Sequence, residues 1–151
     1  MQASRMHDIP PAILNQLELK PPATEQAIEQ LLAFAKTTYE TSLPEDYLAF
    51  LRFSDGCCGI GPNLFVTFEP AAEIGETTIG YGALEFAPGA VIIGSDGCGN
   101  IIGIDTRPAL PDRMTYFWVD PIVLDWNEIA LRTPSLADLL VSLDRYYCDD
   151  E

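Results

Sequence analysis

The side chains able to serve as nucleophile, base or metal ligand are one histidine, four cysteines and a large excess of carboxylates. A general base or a nucleophile triad needs an imidazole held against its partner. His7 lies ahead of Pro10-Pro11 and of every periodic apolar segment, so nothing in the sequence positions it. Cys57, Cys58, Cys98 and Cys148 form no Cys-x-x-Cys pair, and a zinc site needs four convergent ligands. Adjacent Cys57 and Cys58 read as small residues in a turn that ends a helix, with no cation nearby in sequence to lower a thiol pKa. The run Asp96-x-Cys98-x-Asn100 has the spacing that opens a calcium loop. However, Ile101 stands at the sixth position, where Gly is needed, and Arg107 at the twelfth, where Glu is needed. Gly56-Cys57-Cys58-Gly59-Ile60-Gly61 is spaced G-x-x-G-x-G, unlike the dinucleotide fingerprint, and it follows a helix instead of a strand. With 23 Asp and Glu, carboxylate pairs arise by chance, and they do acid–base work only where one is buried with a raised pKa. A carboxylate hydrolase is therefore a reading that waits on such a pocket. No catalytic, cofactor-binding or metal-binding residue is assigned, and the chain is read as non-enzymatic.

The 23 acids face only 8 Lys and Arg, for a formal net charge of −15 over 151 residues. Only two lysines occur, Lys20 and Lys36, and no cation lies between Phe53 and Thr106, where Asp55, Glu69, Glu73, Glu76, Glu85, Asp96 and Asp105 all fall. One reading is plain solubility. The other is a partner of opposite sign, since a uniform negative field steers basic proteins onto a surface. The same field repels phosphate backbones, which argues against direct nucleic-acid binding. No apolar stretch approaches the ~18 residues a membrane span needs, and the opening MQASRMHDIPPAILNQ does not read as a signal peptide. Together with the unpaired cysteines this predicts reduced thiols in a cytoplasmic protein.

The elements follow from spacing. Residues 1–22, bounded by Pro10-Pro11 and Pro21-Pro22, read as an N-terminal arm with one short turn, and residues 23–151 as a single domain. Ile28, Leu31, Leu32, Ala35 and Tyr39 recur at helical spacing and predict a helix over 24–40 opened by Thr24. Ser42 and Glu45 have capping-box spacing with Pro44 in the first turn. Leu43, Tyr47, Phe50 and Leu51 then share a face, and Asp55-Gly56 stops this second helix. Strand-like runs follow at Leu64–Phe68, Val91–Ile93, Ile101–Ile104 and Thr115–Val119, with Ile122–Leu124 a further short run and Asp125–Leu131 a turn. Ser95–Asn100 is dense in turn formers and reads as a hairpin connection, whereas 69–89 shows no clear period and reads as a long loop with at most one helical turn. Thr133-Pro134-Ser135 opens a last helix whose stripe is Leu136, Leu139, Leu140, Leu143 and Tyr147. Tyr116, Phe117, Trp118 and Trp126 are read as core before interface. Helices, then a run of strands, then a helix make an α+β fold, with N-terminal helices and a C-terminal helix packed on a curved, mainly antiparallel sheet. Val91–Ile93 lacks polar alternation, so both sheet faces are expected to be covered at least in part.

Three blocks of these elements carry a resemblance. Leu43-Pro44-Glu45-Asp46-Tyr47-Leu48-Ala49-Phe50-Leu51 followed by Ser54-Asp55-Gly56 resembles the "LP-x-D-Y-x-x-F-L … N-G" signature of the SUKH superfamily, which includes the fungal Smi/Knr cell-wall assembly regulators. Ile93-Gly94-Ser95-Asp96-Gly97-Cys98-Gly99-Asn100 is similar to its "I-G-x-D-G-G-G-D/N" turn. Ile129-Ala130 with Ser135-Leu136-Ala137-Asp138-Leu139-Leu140 is similar to its closing "I-A-x-S-F-x-x-F-L" helix. Asp55 stands for the usual Asn, Cys98 for a Gly, and Leu136 and Leu140 near positions where Phe is frequent.

The resemblance implies an α+β binding domain without catalytic machinery. Its bacterial members resemble immunity proteins that bind and neutralise toxins, many of them nucleases with basic clefts. Family and charge together predict a protein partner, a basic toxin domain blocked by stoichiometric binding. Glu69, Glu73, Glu76, Glu85 and Asp96 are the partner-binding candidates, because they fall in loops of the cation-free segment. The alternative is a regulatory scaffold that binds several cellular proteins.

Overall fold

In the computed structural model, which describes residues 9–59, 64–108 and 115–148, Thr24 opens the first long helix. Its side chain accepts a hydrogen bond from the Ala27 N–H, and helix α2 (Glu25–Tyr39) runs to Glu40, which closes it in the left-handed conformation. Before it, α1 (Pro11–Leu14) and strand β1 (Leu17–Leu19) occupy much of the segment read as an arm. Ile9, Ile13 and Leu17 bury their side chains in the core, and β1 pairs with β2 (Cys57–Gly59). Three well-spaced apolar side chains thus dock this segment on the rest of the molecule. Helix α3 spans Glu45–Phe53, and Pro44 precedes it with no side-chain cap, so the Ser42–Glu45 capping box does not form. Ser54 ends α3 in an extended conformation, and the left-handed Gly56 shapes the next turn. A Cβ on Gly56 would collide with the Phe68 carbonyl oxygen, so this close backbone approach admits only glycine.

Among the described residues the strands form one open seven-stranded sheet in the order β1 to β7, with every neighbouring pair antiparallel. After β2 come β3 (Thr67–Phe68), β4 (Ala90–Ser95), β5 (Ile101–Asp105), β6 (Tyr116–Val119) and β7 (Leu131–Thr133). With the helices around it this sheet makes the α+β architecture expected. The predicted run Ile122–Leu124 is not a strand, because Pro121–Val123 forms a 3-10 turn capped by Asp120. Cys57 and Cys58 lie in β2, not in a helix-ending turn. Residues 69–89 hold more helix than the single turn expected: a 3-10 turn at Ala71–Glu73 leads into α4 (Ile74–Gly80), followed by α5 (Ala83–Phe86). Glycines at 75, 80 and 82 hide these helices from a periodicity reading. Tertiary contacts hold α4: Ile74 is buried, and the buried Thr78 hydroxyl accepts from the Ile92 N–H of β4 at 2.9 Å.

Side chains of the central strands alternate between two cores. Val91, Ile93, Ile102, Ile104, Tyr116 and Trp118 meet α1, α2, α3 and α6 (Leu136–Cys148) on one face. Ile92, Ile101, Phe117 and Val119 meet a smaller cover on the other, made of Ala83, Ala87, Leu124 and Ile129 with Trp126 packed against it. Both faces are covered, as the apolar run of β4 predicts. A bulge between Ile92 and Gly94 shifts the register within β4, and Val91, Ile92 and Ile93 around it are all fully buried.

Candidate protein-binding surface

In each of the three signature blocks a polar side chain is bonded within the fold. Asp46 on α3 accepts from the Tyr116 hydroxyl at 2.5 Å through Oδ1 and from the Leu136 N–H at 2.8 Å through Oδ2. One carboxylate therefore joins α3, β6 and the first residue of α6. Burial, with Asp46 close by, pushes the Tyr116 phenol well above its usual range and keeps it a donor. Asp55 Oδ1 accepts from the Ala71 N–H at 2.7 Å, and the Ser54 hydroxyl accepts from the Lys20 N–H at 2.8 Å. Asp96 closes the β4–β5 hairpin: Oδ1 accepts from the N–H groups of Cys98 and Asn100, and Oδ2 from the Asn100 amide at 2.7 Å. The Ser135 hydroxyl accepts from the Asp138 N–H at the start of α6. In each block a polar side chain satisfies backbone donors of the fold. These blocks describe a scaffold.

The chain matches the model described as "SMI1 / KNR4 family (SUKH-1)" over residues 22–142. It belongs to that family. This SUKH-1 domain is accordingly an immunity-type or regulatory binding domain, a class that works through protein–protein contacts. No curated protein matches the chain.

Since the shared residues hold the fold together, the binding surface of this SUKH-1 domain has to be sought among side chains that face water. Four of the five sequence candidates do so. Glu73, Glu76 and Glu85 are exposed on the short helical elements of the stretch read as a loop, and Glu69 is half-buried just ahead of them, after β3. Burial first, and then the charge of Glu73, raise the Glu69 carboxyl above its ordinary value. Glu69 lines a cleft of about 310 Å³ with Thr77, Tyr81 and Ser95, and Glu76 lines a separate groove between α2 and α4 with Phe34 and Ile79. Asp96 is set apart from them, fully buried in its hairpin.

The few described arginines are drawn onto carboxylates. Asp105, with no exposed side-chain surface, takes Arg107 at 2.9 Å and Arg132 at 3.1 Å, and the Arg107 guanidinium lies 3.8 Å from the centre of the Trp126 ring. Burial alone would push the Asp105 carboxyl up, but hydrogen bonds and charge from the two arginines outweigh it and hold it below the usual carboxylate range. Arg52 pairs with Glu25 at 3.2 Å across an exposed surface.

The structure supplies no constellation for chemistry among the described residues. Burial pushes the Cys57 thiol up to about 12, far from a reactive thiolate. Among the described residues no group of three or more His, Cys, Asp or Glu side chains converges to hold a metal ion, and no helix is long and apolar enough to cross a membrane. His7 and the acidic tail 149–151 lie outside the described residues, as do the side chains of Tyr147 and Cys148. Tyr116, Phe117 and Trp118 are core, and Trp126 is half-buried, with its indole N–H donating to the Pro88 carbonyl at 2.8 Å.

Sequence reasoning missed one exposed feature, the apolar side chains Tyr81, Phe86, Ile122 and Val123, which line a common groove. The available signal was Pro121-Ile122-Val123 directly after Asp120, a capped turn instead of a strand.

Proposed function

We propose that this domain is a non-enzymatic cytoplasmic immunity protein that neutralises a cognate toxin by stoichiometric binding. The toxin domain is basic, and a nuclease is the class that the charge fits best. Carrying this reading is the placement of Glu73, Glu76 and Glu85 on successive short helical elements, with Glu69 just ahead of them, within a segment from Phe53 to Thr106 that contains no cation. An acidic stretch of this kind competes with a phosphate backbone for a basic cleft and speeds encounter at low salt. The domain would act by occupying that cleft, with no group of its own entering the chemistry.

Affinity capture from the native cell extract tests this, with bound proteins identified and eluted along a salt gradient. Immunity predicts one basic toxin domain released only at high salt. Several unrelated partners would instead establish a regulatory scaffold. With the partner in hand, Glu73→Lys/Glu76→Lys/Glu85→Lys is expected to slow association by about tenfold at low salt and to flatten its salt dependence. An unchanged on-rate removes these acids from the interface.

A further inference from the structure

Single exposed apolar residues are normal on a protein surface, whereas several in one concavity mark a contact site. Tyr81, Phe86, Ile122 and Val123 share a groove of about 540 Å³, with Asp125 and Glu128 also on its walls and no Lys or Arg among its lining residues. Ile122 is 89% exposed and Phe86 57%. This exposure is built in. Asp120 Oδ1 accepts from the Ile122 N–H at 2.9 Å and the Asp120 carbonyl accepts from the Val123 N–H at 3.0 Å, which fixes the 3-10 turn that holds Ile122 outward. Below them Leu124, 4% exposed, belongs to the second core cluster, so the groove has a packed floor. A preorganised apolar centre with charged margins is the anatomy of a binding hot spot.

Charge selects the occupant. A second copy docking here about a two-fold axis would set Asp125 and Glu128 close to their own counterparts, between two chains of net charge −15 each. Anionic lipid is repelled for the same reason. We propose that the groove anchors a short cationic amphipathic segment of the partner protein, one apolar side chain entering between Phe86 and Ile122 while flanking Lys or Arg lie over Asp125 and Glu128. This deepens the protein-binding reading above and rests on it: the acidic helices steer, and the groove holds.

The test is amide shift mapping on the ¹⁵N-labelled full chain, titrated with a synthetic helical peptide of Leu and Lys in heptad spacing. Two matched controls replace every Lys by Glu or every Leu by Ser. Shifts confined to 80–86 and 120–128 with the Leu/Lys peptide alone are expected. Ile122→Asp, at a site too exposed to disturb folding, should weaken that peptide about tenfold or more with an unchanged melting temperature. Equal binding by Ile122→Asp, or shifts confined to 69–76 with both cationic peptides, overturns the groove while leaving acidic steering intact. No binding by either cationic peptide overturns both readings. Sedimentation showing a dimer that Ile122→Asp dissolves would assign the groove to self-association and overturn the proposal.

Discussion

Removing the Asp46 carboxylate should destabilise the domain by disconnecting three elements at once. Asp46→Ala leaves two donors without acceptors: the hydroxyl of fully buried Tyr116 and the Leu136 N–H at the start of α6. An orphaned buried donor costs about 1–3 kcal/mol, and loss of a helix cap about 0.5–2 kcal/mol. Asp46 is itself only half-buried, so water can reach part of the vacated site. The lower half of each range then applies, for a total of about 1.5–3 kcal/mol. At roughly 2–4 °C per kcal/mol for a chain of this size, the melting temperature should fall by about 3–12 °C. Asp46→Asn keeps one acceptor oxygen and turns an N–H₂ toward the other donor, so it should cost about 2 kcal/mol. Tyr116→Phe should cost about 1 kcal/mol, since the freed Oδ1 can be hydrated. The measurement is urea unfolding followed by circular dichroism on all three variants and on the Asp46→Ala/Tyr116→Phe double variant. A coupling of about 1 kcal/mol between the two positions is expected for groups in direct contact. A loss below about 0.5 kcal/mol for Asp46→Ala, with additive effects in the double variant, would refute the view that this carboxylate joins the three elements.

The neighbouring residue should behave in the opposite way. Tyr47 is fully buried and its hydroxyl has no hydrogen-bond partner among the described residues, so Tyr47→Phe should be neutral or stabilising by up to about 1 kcal/mol; a clear loss in the same urea titration would show that the hydroxyl is satisfied. Asp105 supplies the pH dependence. Because its folded pKa lies below the unfolded value of about 3.9, its contribution is present above that pH and is lost as pH falls through the folded value. Asp105→Asn should therefore be less stable than the parent at pH 7, and the gap should narrow as pH drops below about 4. A gap that stays constant across that range in parallel urea titrations would contradict the Arg107–Asp105–Arg132 account.

Where a single period dominated, the sequence was sufficient. Ile28, Leu31 and Ala35, and then Tyr47, Phe50 and Leu51, lie three or four residues apart or side by side on one face, and only a helix can bury such a set on one side. The uninterrupted apolar run of β4 required cover on both faces, and Ser95–Asn100 could only turn. Charge was equally legible, being a sum over residues that folding does not alter. Long-range partners were not. α4 forms because Ile74 and Thr78 find the core and the Ile92 N–H, and neither partner is adjacent in sequence. β1, β2 and β7 are three residues each, too short to show alternation, and exist through their neighbours' ladders. The Ser42–Glu45 box does not form at α3, and the Asp46 carboxylate binds instead the first N–H of α6, 90 residues away. Tertiary structure also divided the acids by role. Asp46, Asp96 and Asp105 are spent on internal donors, while Glu73, Glu76 and Glu85 keep contact with water, because a carboxylate is buried only where the chain brings it donors. Composition determined that this protein is acidic; the fold decided which acids, and which groove, face water.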